Sequence, residues 1–162
     1  MKHKVMEQNK IIKAFTSKWR FMFFLLWKLP MAFFANLKVE ELDDYKSNVS
    51  VPYNYLNKNP FKSMYFAVQS MAGELSTGCL VILHTDGKNI STLVTNIEAN
   101  FHKKAINTIN FICLDGEKAL IAIKKACDTN KSQKCIMVSK GYNEEGECVS
   151  EFTVTWSLKK RN

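Results

Sequence analysis

The chain of 162 residues is 46% hydrophobic and 23% charged, with a formal net charge of +8, a composition that suits one folded domain with a real core and excludes a disordered chain. The charge sits at the two ends: residues 1–20 carry six basic side chains against Glu7, residues 159–161 add three more, and the remainder balances at fourteen against fourteen. Two basic tails do not make the clustered, aromatic-studded groove that a nucleic acid requires, so nucleic-acid binding is not expected.

In chain order the first expected element is an amphipathic helix, because Ile11, Phe15, Trp19, Met22 and Leu26 recur at helical spacing with Lys and Arg on other faces. The continuous apolar run within it, FMFFLLW, is only seven residues long before Lys28 and Pro30 interrupt it, too short to cross a bilayer. Residues 1–35 are therefore read as a helical segment packing on the domain or on a partner subunit. A peripheral contact with an acidic membrane surface is the competing use, since basic residues flank aromatic ones there.

From residue 36 to 162 the pattern is that of a second, α+β unit. LKVEELD and SNVSVPY, joined around Asp44 and Tyr45, read as a hairpin, with Val49, Val51 and Tyr53 alternating against polar neighbours. A polar turn region, NYLNKNPF, leads to a long helix over about 63–83 that Asp86-Gly87 closes. Alternation resumes over 90–102, TINFICL follows, EKALIAIKKACD has helical spacing with a strand still open to it, and 133–140 with 147–158 form a final hairpin. A helix apolar on nearly every face must be wrapped by other structure, and strands with one apolar face each can supply the wrapping, so a curved antiparallel sheet around the long helix is expected.

Function is sought at Glu74, the only side chain charged at neutral pH in the twenty-one residues SMYFAVQSMAGELSTGCLVIL. A carboxylate in so apolar a segment must be neutralised, hydrogen-bonded or kept for chemistry, because stranding a charge in low dielectric costs several kcal/mol or more. At 100° per residue Ala67, Ser70, Gly78 and Val81 lie within about 40° of it, and Gly73 and Thr77 are near. Small neighbours leave room for a pocket, and equally for a close helix contact in which Glu74 is a hydrogen-bonded interface residue. Gln69 and Ser70 divide the same way, between lining a channel and capping a buried polar group.

The stretch N59-P-F-K-S-M-Y65-F-A-V-Q-S-M-A-G-E74 resembles the signature of hotdog-fold acyl-CoA thioesterases of the phenylacetyl-CoA (PaaI-like) type, in which an Asn lies six residues before a His-Gly-Gly and an acid nine residues after that His. Asn59 and Glu74 match the Asn and the acid. Tyr65 takes the His position, Phe66 and Ala67 replace the two glycines, and Lys62 stands where a glycine is common. The wider wording, VPYNYLNKNPFKSMYFAVQSMAGELSTG, is closer still to the hotdog branch known as domain of unknown function 4442. The resemblance covers about residues 15–160.

What it implies is a hotdog fold and a thioester hydrolase. Backbone N–H groups at the start of the long helix polarise the thioester carbonyl, the helix dipole favours the developing oxyanion, and the carboxylate activates water or attacks directly. Carried onto this chain, the Phe66 amide polarises, Asn59 orders the loop or contacts the thioester, Glu74 is base or nucleophile, and Tyr65 donates a hydrogen bond without replacing an imidazole. Substrate contacts are expected from Gln69, Ser70 and Thr77, and from Lys103 and Lys104 toward the phosphates of coenzyme A, which enters as part of the substrate and not as a cofactor. In that family the two halves of the site come from facing subunits, so a homodimer or a dimer of dimers is implied. The alternative is a non-catalytic acyl-thioester or fatty-acyl binding protein that has kept the pocket and lost His-Gly-Gly.

Other chemistry has little support. Five cysteines form no CxxC pair and fall mostly in apolar runs, which fits small buried hydrophobes in a reducing cytoplasm. His3, His84 and His102 are scattered, so no metal is expected, and no G-x-S-x-G elbow or glycine-rich phosphate loop is present.

Overall fold

The structure, a computed structural model, describes residues 10–161. Residues 10–16 are helical (α1), followed by α2 (Lys18–Lys28), α3 (Pro30–Phe34), β1 (Lys38–Leu42), β2 (Ser47–Val51), α4 (Phe66–Thr85), β3 (Ile90–Phe101), β4 (Ile109–Cys113), α5 (Gly116–Thr129), β5 (Gln133–Tyr142) and β6 (Cys148–Lys160). The six strands form one antiparallel sheet in the order β1-β2-β4-β5-β6-β3. The segment that sequence left between helix and strand is a helix, α5, held at its start by Asp115: its Oδ2 accepts the Val138 N–H at 2.7 Å and its Oδ1 pairs with Lys118 at 2.9 Å.

α4 is the centre of the molecule, packed against β1, β2, β4, β5 and β6. Its length and apolarity would suffice to cross a membrane, but 67% of its most apolar window is buried inside the protein, as a core helix requires. Gly73 lets it come close: a Cβ there would stand 2.8 Å from the ring of Phe152, itself fully buried. Ser76 in the same turn bonds the Ser139 hydroxyl at 2.7 Å, and Ser47 donates to the Ser76 carbonyl at 2.5 Å, so the polar groups that face the sheet are satisfied without water. The helix ends where expected, at Asp86 with Gly87 in the left-handed region at φ 66°. This is the hotdog fold, an antiparallel sheet wrapped around one long helix.

The N-terminal stripe differs from the sequence expectation. The chain breaks at Ser17, and α1 folds back so that Phe15 meets Phe21 and Phe24 at ring separations of 5.5 and 5.4 Å. The inward face of α2 is therefore Phe21 and Leu25, while Trp19 and Leu26, expected on the buried stripe, point out at 71% and 48% exposure. A change of helix axis resets the periodicity, which a single run of i, i+4 spacings does not show.

Candidate functional site

The loop 57–65 and the first turn of α4 are built around two asparagines. Asn57, buried, donates from Nδ2 to the Pro52 carbonyl at 2.6 Å, and its own carbonyl accepts the Tyr65 N–H at 2.7 Å. Asn59 closes the next turn: Oδ1 accepts the N–H groups of Phe61 (2.9 Å) and Ser63 (3.2 Å), and Nδ2 reaches the Ser63 hydroxyl at 3.1 Å. Lys62 lies in the left-handed region at φ 58°, which accounts for the glycine common at that place in the resembled signature. Asn59 thus orders the loop.

Tyr65 caps α4 in extended conformation and gives no side-chain bond to the helix. Its carbonyl takes the Val68 and Gln69 N–H groups, and among the described residues no acceptor takes those of Phe66 and Ala67. Two amide hydrogens therefore project from the positive end of a 20-residue helix. Phe66 also lines a cavity of about 360 Å³, together with Asn59, Ser63, Met64, Gln69, Phe101, His102, Lys103, Lys104 and Ala105. Five residues singled out from sequence, Asn59, Phe66, Gln69, Lys103 and Lys104, so meet at one place. Tyr65 is beside it, half-exposed, with its ring 4.7 Å from that of Phe66.

The cavity is basic but partly neutralised. Lys103 is paired with Glu147 at 2.5 Å and holds that exposed carboxyl below its ordinary range, while Lys104 donates to the Phe61 carbonyl at 3.1 Å. Gln69 is buried, with Oε1 accepting from Ser150 at 2.9 Å and Nε2 directed to the Met64 carbonyl at 3.4 Å. Ser70 bonds back to the Phe66 carbonyl at 3.0 Å.

Glu74 is not among the residues lining that cavity. It is half-buried two turns further along α4, and among the described residues its carboxylate makes no hydrogen bond or ion pair. Oε1 lies over Gly78, where a Cβ would stand 3.4 Å from it and 3.6 Å from the Trp156 ring. Trp156 is held by its indole N–H donating to Thr77 Oγ1 at 3.0 Å, and Thr77 in turn donates to the Glu74 carbonyl at 2.8 Å. Burial without a compensating donor pushes the Glu74 carboxyl up from its ordinary value. The same burial, with Glu74 nearby, pushes the Cys79 thiol far up, so it stays protonated and is no nucleophile. Neither His102 nor Trp156 is singled out for the site by sequence; the β3 and β6 pairings bring His102 to the cavity and Trp156 beside Gly78 and Thr77.

Eight residues separate the Phe66 amide from Glu74 on one helix, about 12 Å at 1.5 Å per residue. One thioester carbonyl cannot touch both on the same chain. The half-exposed stripe of α4 that carries Ala67, Ser70, Met71 and Glu74 is open, and so is the outer side of β3, an edge strand of 12 residues with Leu93, Ile97 and Phe101 exposed at 64%, 42% and 46%.

No protein-family model matches this chain, and no curated protein matches it by sequence. Solved structures do. One from Pseudomonas aeruginosa, described as a protein of unknown function and probable thioesterase, superposes with TM-score 0.75 at 21% identity, over 83% of this chain and 90% of that one. A protein of unknown function from Chlorobaculum tepidum gives 0.75 at 18% identity, over 91% and 99%. A thioesterase from Haemophilus influenzae gives 0.61 at 9% identity, over 83% and 86%. At these identities the likeness is one of fold.

Proposed function

We propose that this protein is a thioester hydrolase acting on an acyl-CoA or acyl-carrier thioester, in a site shared by two copies of the chain. The observation that carries the reading is the pairing of an unbonded, half-buried Glu74 with two unbonded amides at the start of the same helix, about 12 Å away. A second copy laid antiparallel along β3 sets the helix start of one chain opposite Glu74 of the other and covers the open stripe of α4. The thioester carbonyl then receives the Phe66 N–H, a donor aimed where oxyanion charge develops. Deprotonated Glu74 takes a proton from water as it attacks, and the tetrahedral adduct collapses to the acid and the thiolate; or Glu74 attacks the carbonyl carbon itself, the thiolate leaves, and water then hydrolyses the acyl–Glu74 anhydride to release the acid. Lys103 and Lys104 at the cavity mouth suit the phosphates of coenzyme A. The wording around Asn59–Glu74 favours the branch called domain of unknown function 4442, the thioesterase descriptions of neighbours support the reaction class, and unpaired cysteines fit a reducing cytoplasm.

A second reading rests on the Tyr65 and Phe66 rings, which meet edge to face at the helix start and would suit an acyl-thioester binding protein without turnover. The two are separated with a panel of acyl-CoA esters of rising chain length, scored by thiol release. Glu74→Gln is expected to abolish release without loss of folding. Phe66→Pro removes the amide donor at the first helical position, where proline is tolerated and the preceding Tyr65 already has ψ 134°; it is expected to lower kcat by about 10²–10³, while Phe66→Ala keeps the donor and most of the activity. Mixing Glu74→Gln with Phe66→Pro chains regenerates one intact site per mixed dimer and restores release. Binding with turnover no faster than that of Glu74→Gln establishes the second reading, and no rescue on mixing refutes a site shared between chains.

A further inference from the structure

The outward face of α2 and α3 is independent of that site. Trp19, Phe23, Leu26 and Trp27 are 71%, 70%, 48% and 83% exposed, and Met31 and Phe34 on α3 are 67% and 56% exposed. At 100° per residue the four on α2 fall within an arc of about 100°, opposite the buried Phe21 and Leu25. Scattered exposed apolar residues are ordinary, but seven large ones within sixteen positions, counting Leu29 between the two helices, are not. The inner side of α2 is already filled by Phe15 and Phe24, with the Phe21 and Phe24 rings 6.1 Å apart. The bare face is therefore carried on a packed element.

Its charge selects the occupant. Between residues 10 and 37 the chain has Lys10, Lys13, Lys18, Arg20 and Lys28 and no Asp or Glu, and all five cations are exposed. The next acids, Glu40 and Glu41 on β1, are engaged by the Ser50 hydroxyl and by Lys46, each within 2.6 Å. A protein–protein interface depletes lysine around its apolar core, whereas a lipid headgroup region takes Trp and Phe at its boundary and Lys and Arg at its phosphates. α2 packs on β1, at the opposite edge of the sheet from β3, so pairing along β3 leaves this face uncovered.

We propose that the α2–α3 face docks the protein on an anionic lipid bilayer, with Trp19, Phe23 and Trp27 entering the headgroup boundary and Lys18 and Arg20 meeting lipid phosphates. The inference stands whether or not the chain hydrolyses thioesters.

The test is co-sedimentation of the full chain with vesicles of phosphatidylglycerol mixed into phosphatidylcholine, against phosphatidylcholine alone, with tryptophan emission followed in parallel. The chain is expected to sediment with the anionic vesicles, to shift its emission to the blue, and to release as salt is raised. Trp19→Ser with Trp27→Ser, and separately Lys18→Glu with Arg20→Glu, should each weaken partitioning about tenfold or more; both pairs alter exposed side chains, so folding is spared. The proposal is overturned if the wild type stays in solution, if it binds both vesicle types equally, or if neither variant pair weakens binding. It is also overturned if the tryptophan variant changes the oligomeric state in lipid-free solution, which would make this face a contact between proteins.

Discussion

Gly73 and Gly78 lie on one helix and offer a test of how α4 is seated, because the same substitution should have opposite effects at the two. Replacing a mid-helix glycine by alanine stabilises by about 0.5–1 kcal/mol from backbone entropy and propensity. At Gly78 the new Cβ meets Glu74 Oε1 at 3.4 Å and the Trp156 ring at 3.6 Å, ordinary contacts, so Gly78→Ala should keep that gain and raise Tm by roughly 1–4 °C for a domain of this size. At Gly73 the Cβ stands 2.8 Å from Cγ and Cδ2 of Phe152. That ring is fully buried and hemmed in by Phe101 and Phe111 at 5.7 and 5.8 Å. Overpacking of this kind costs about 1–3 kcal/mol, and with the ring unable to give, the upper end applies; after the propensity gain Gly73→Ala is left less stable by about 2 kcal/mol, a fall in Tm of roughly 4–8 °C. Thermal melts followed by far-ultraviolet circular dichroism read both values. If Gly73→Ala melts at or above the wild type, or Gly78→Ala melts as low as Gly73→Ala, α4 is not packed on β6 in this register and the placement of Glu74 goes with it.

Two further outcomes follow from the site. Burial raises the Glu74 carboxyl above its ordinary 4.5, so the native state holds that proton more tightly than the unfolded chain does. The stabilisation from protonated Glu74 is complete below about pH 4.5 and is lost as pH rises through the folded pKa. Glu74→Gln should therefore match the wild type in acid and become the more stable of the two above that window, while wild-type thiol release rises with pH through the same range; flat profiles in urea titrations and in kinetics would contradict the environment described. At the loop, Lys62→Gly should stabilise by roughly 0.5–1 kcal/mol by relieving a left-handed non-glycine residue, and Asn59→Ala should cost about 1–2 kcal/mol by leaving the loop N–H groups without an acceptor. Equilibrium unfolding checks both, and a destabilised Lys62→Gly would speak against the turn at φ 58°.

Much of this protein was legible in its sequence because the informative signals are local. Period-two alternation found β3, β5 and β6, the apolar run found α4, Asp86-Gly87 found its end, and the isolation of Glu74 pointed to a carboxyl that burial raises above its ordinary value. Those signals depend on neighbours a few residues away, and solvent sorts them the same way wherever the segment lies in the fold. Tertiary structure decided the rest. Whether EKALIAIKKACD was helix or strand was settled by Asp115 reaching across to the Val138 amide on β5. Which side of the N-terminal helices faced inward was settled by a break at Ser17 that no spacing announces. The candidate site is of the second kind: the amide end of α4, His102 and Trp156 come from segments far apart in the chain, and the distance along one rigid helix from Phe66 to Glu74 is a fact of geometry. Side chains choose their local conformation by short-range sterics and solvation, but which of them meet depends on how long-range pairing brings strand and helix together, and that pairing energy is spread across the whole sheet rather than written in any one segment.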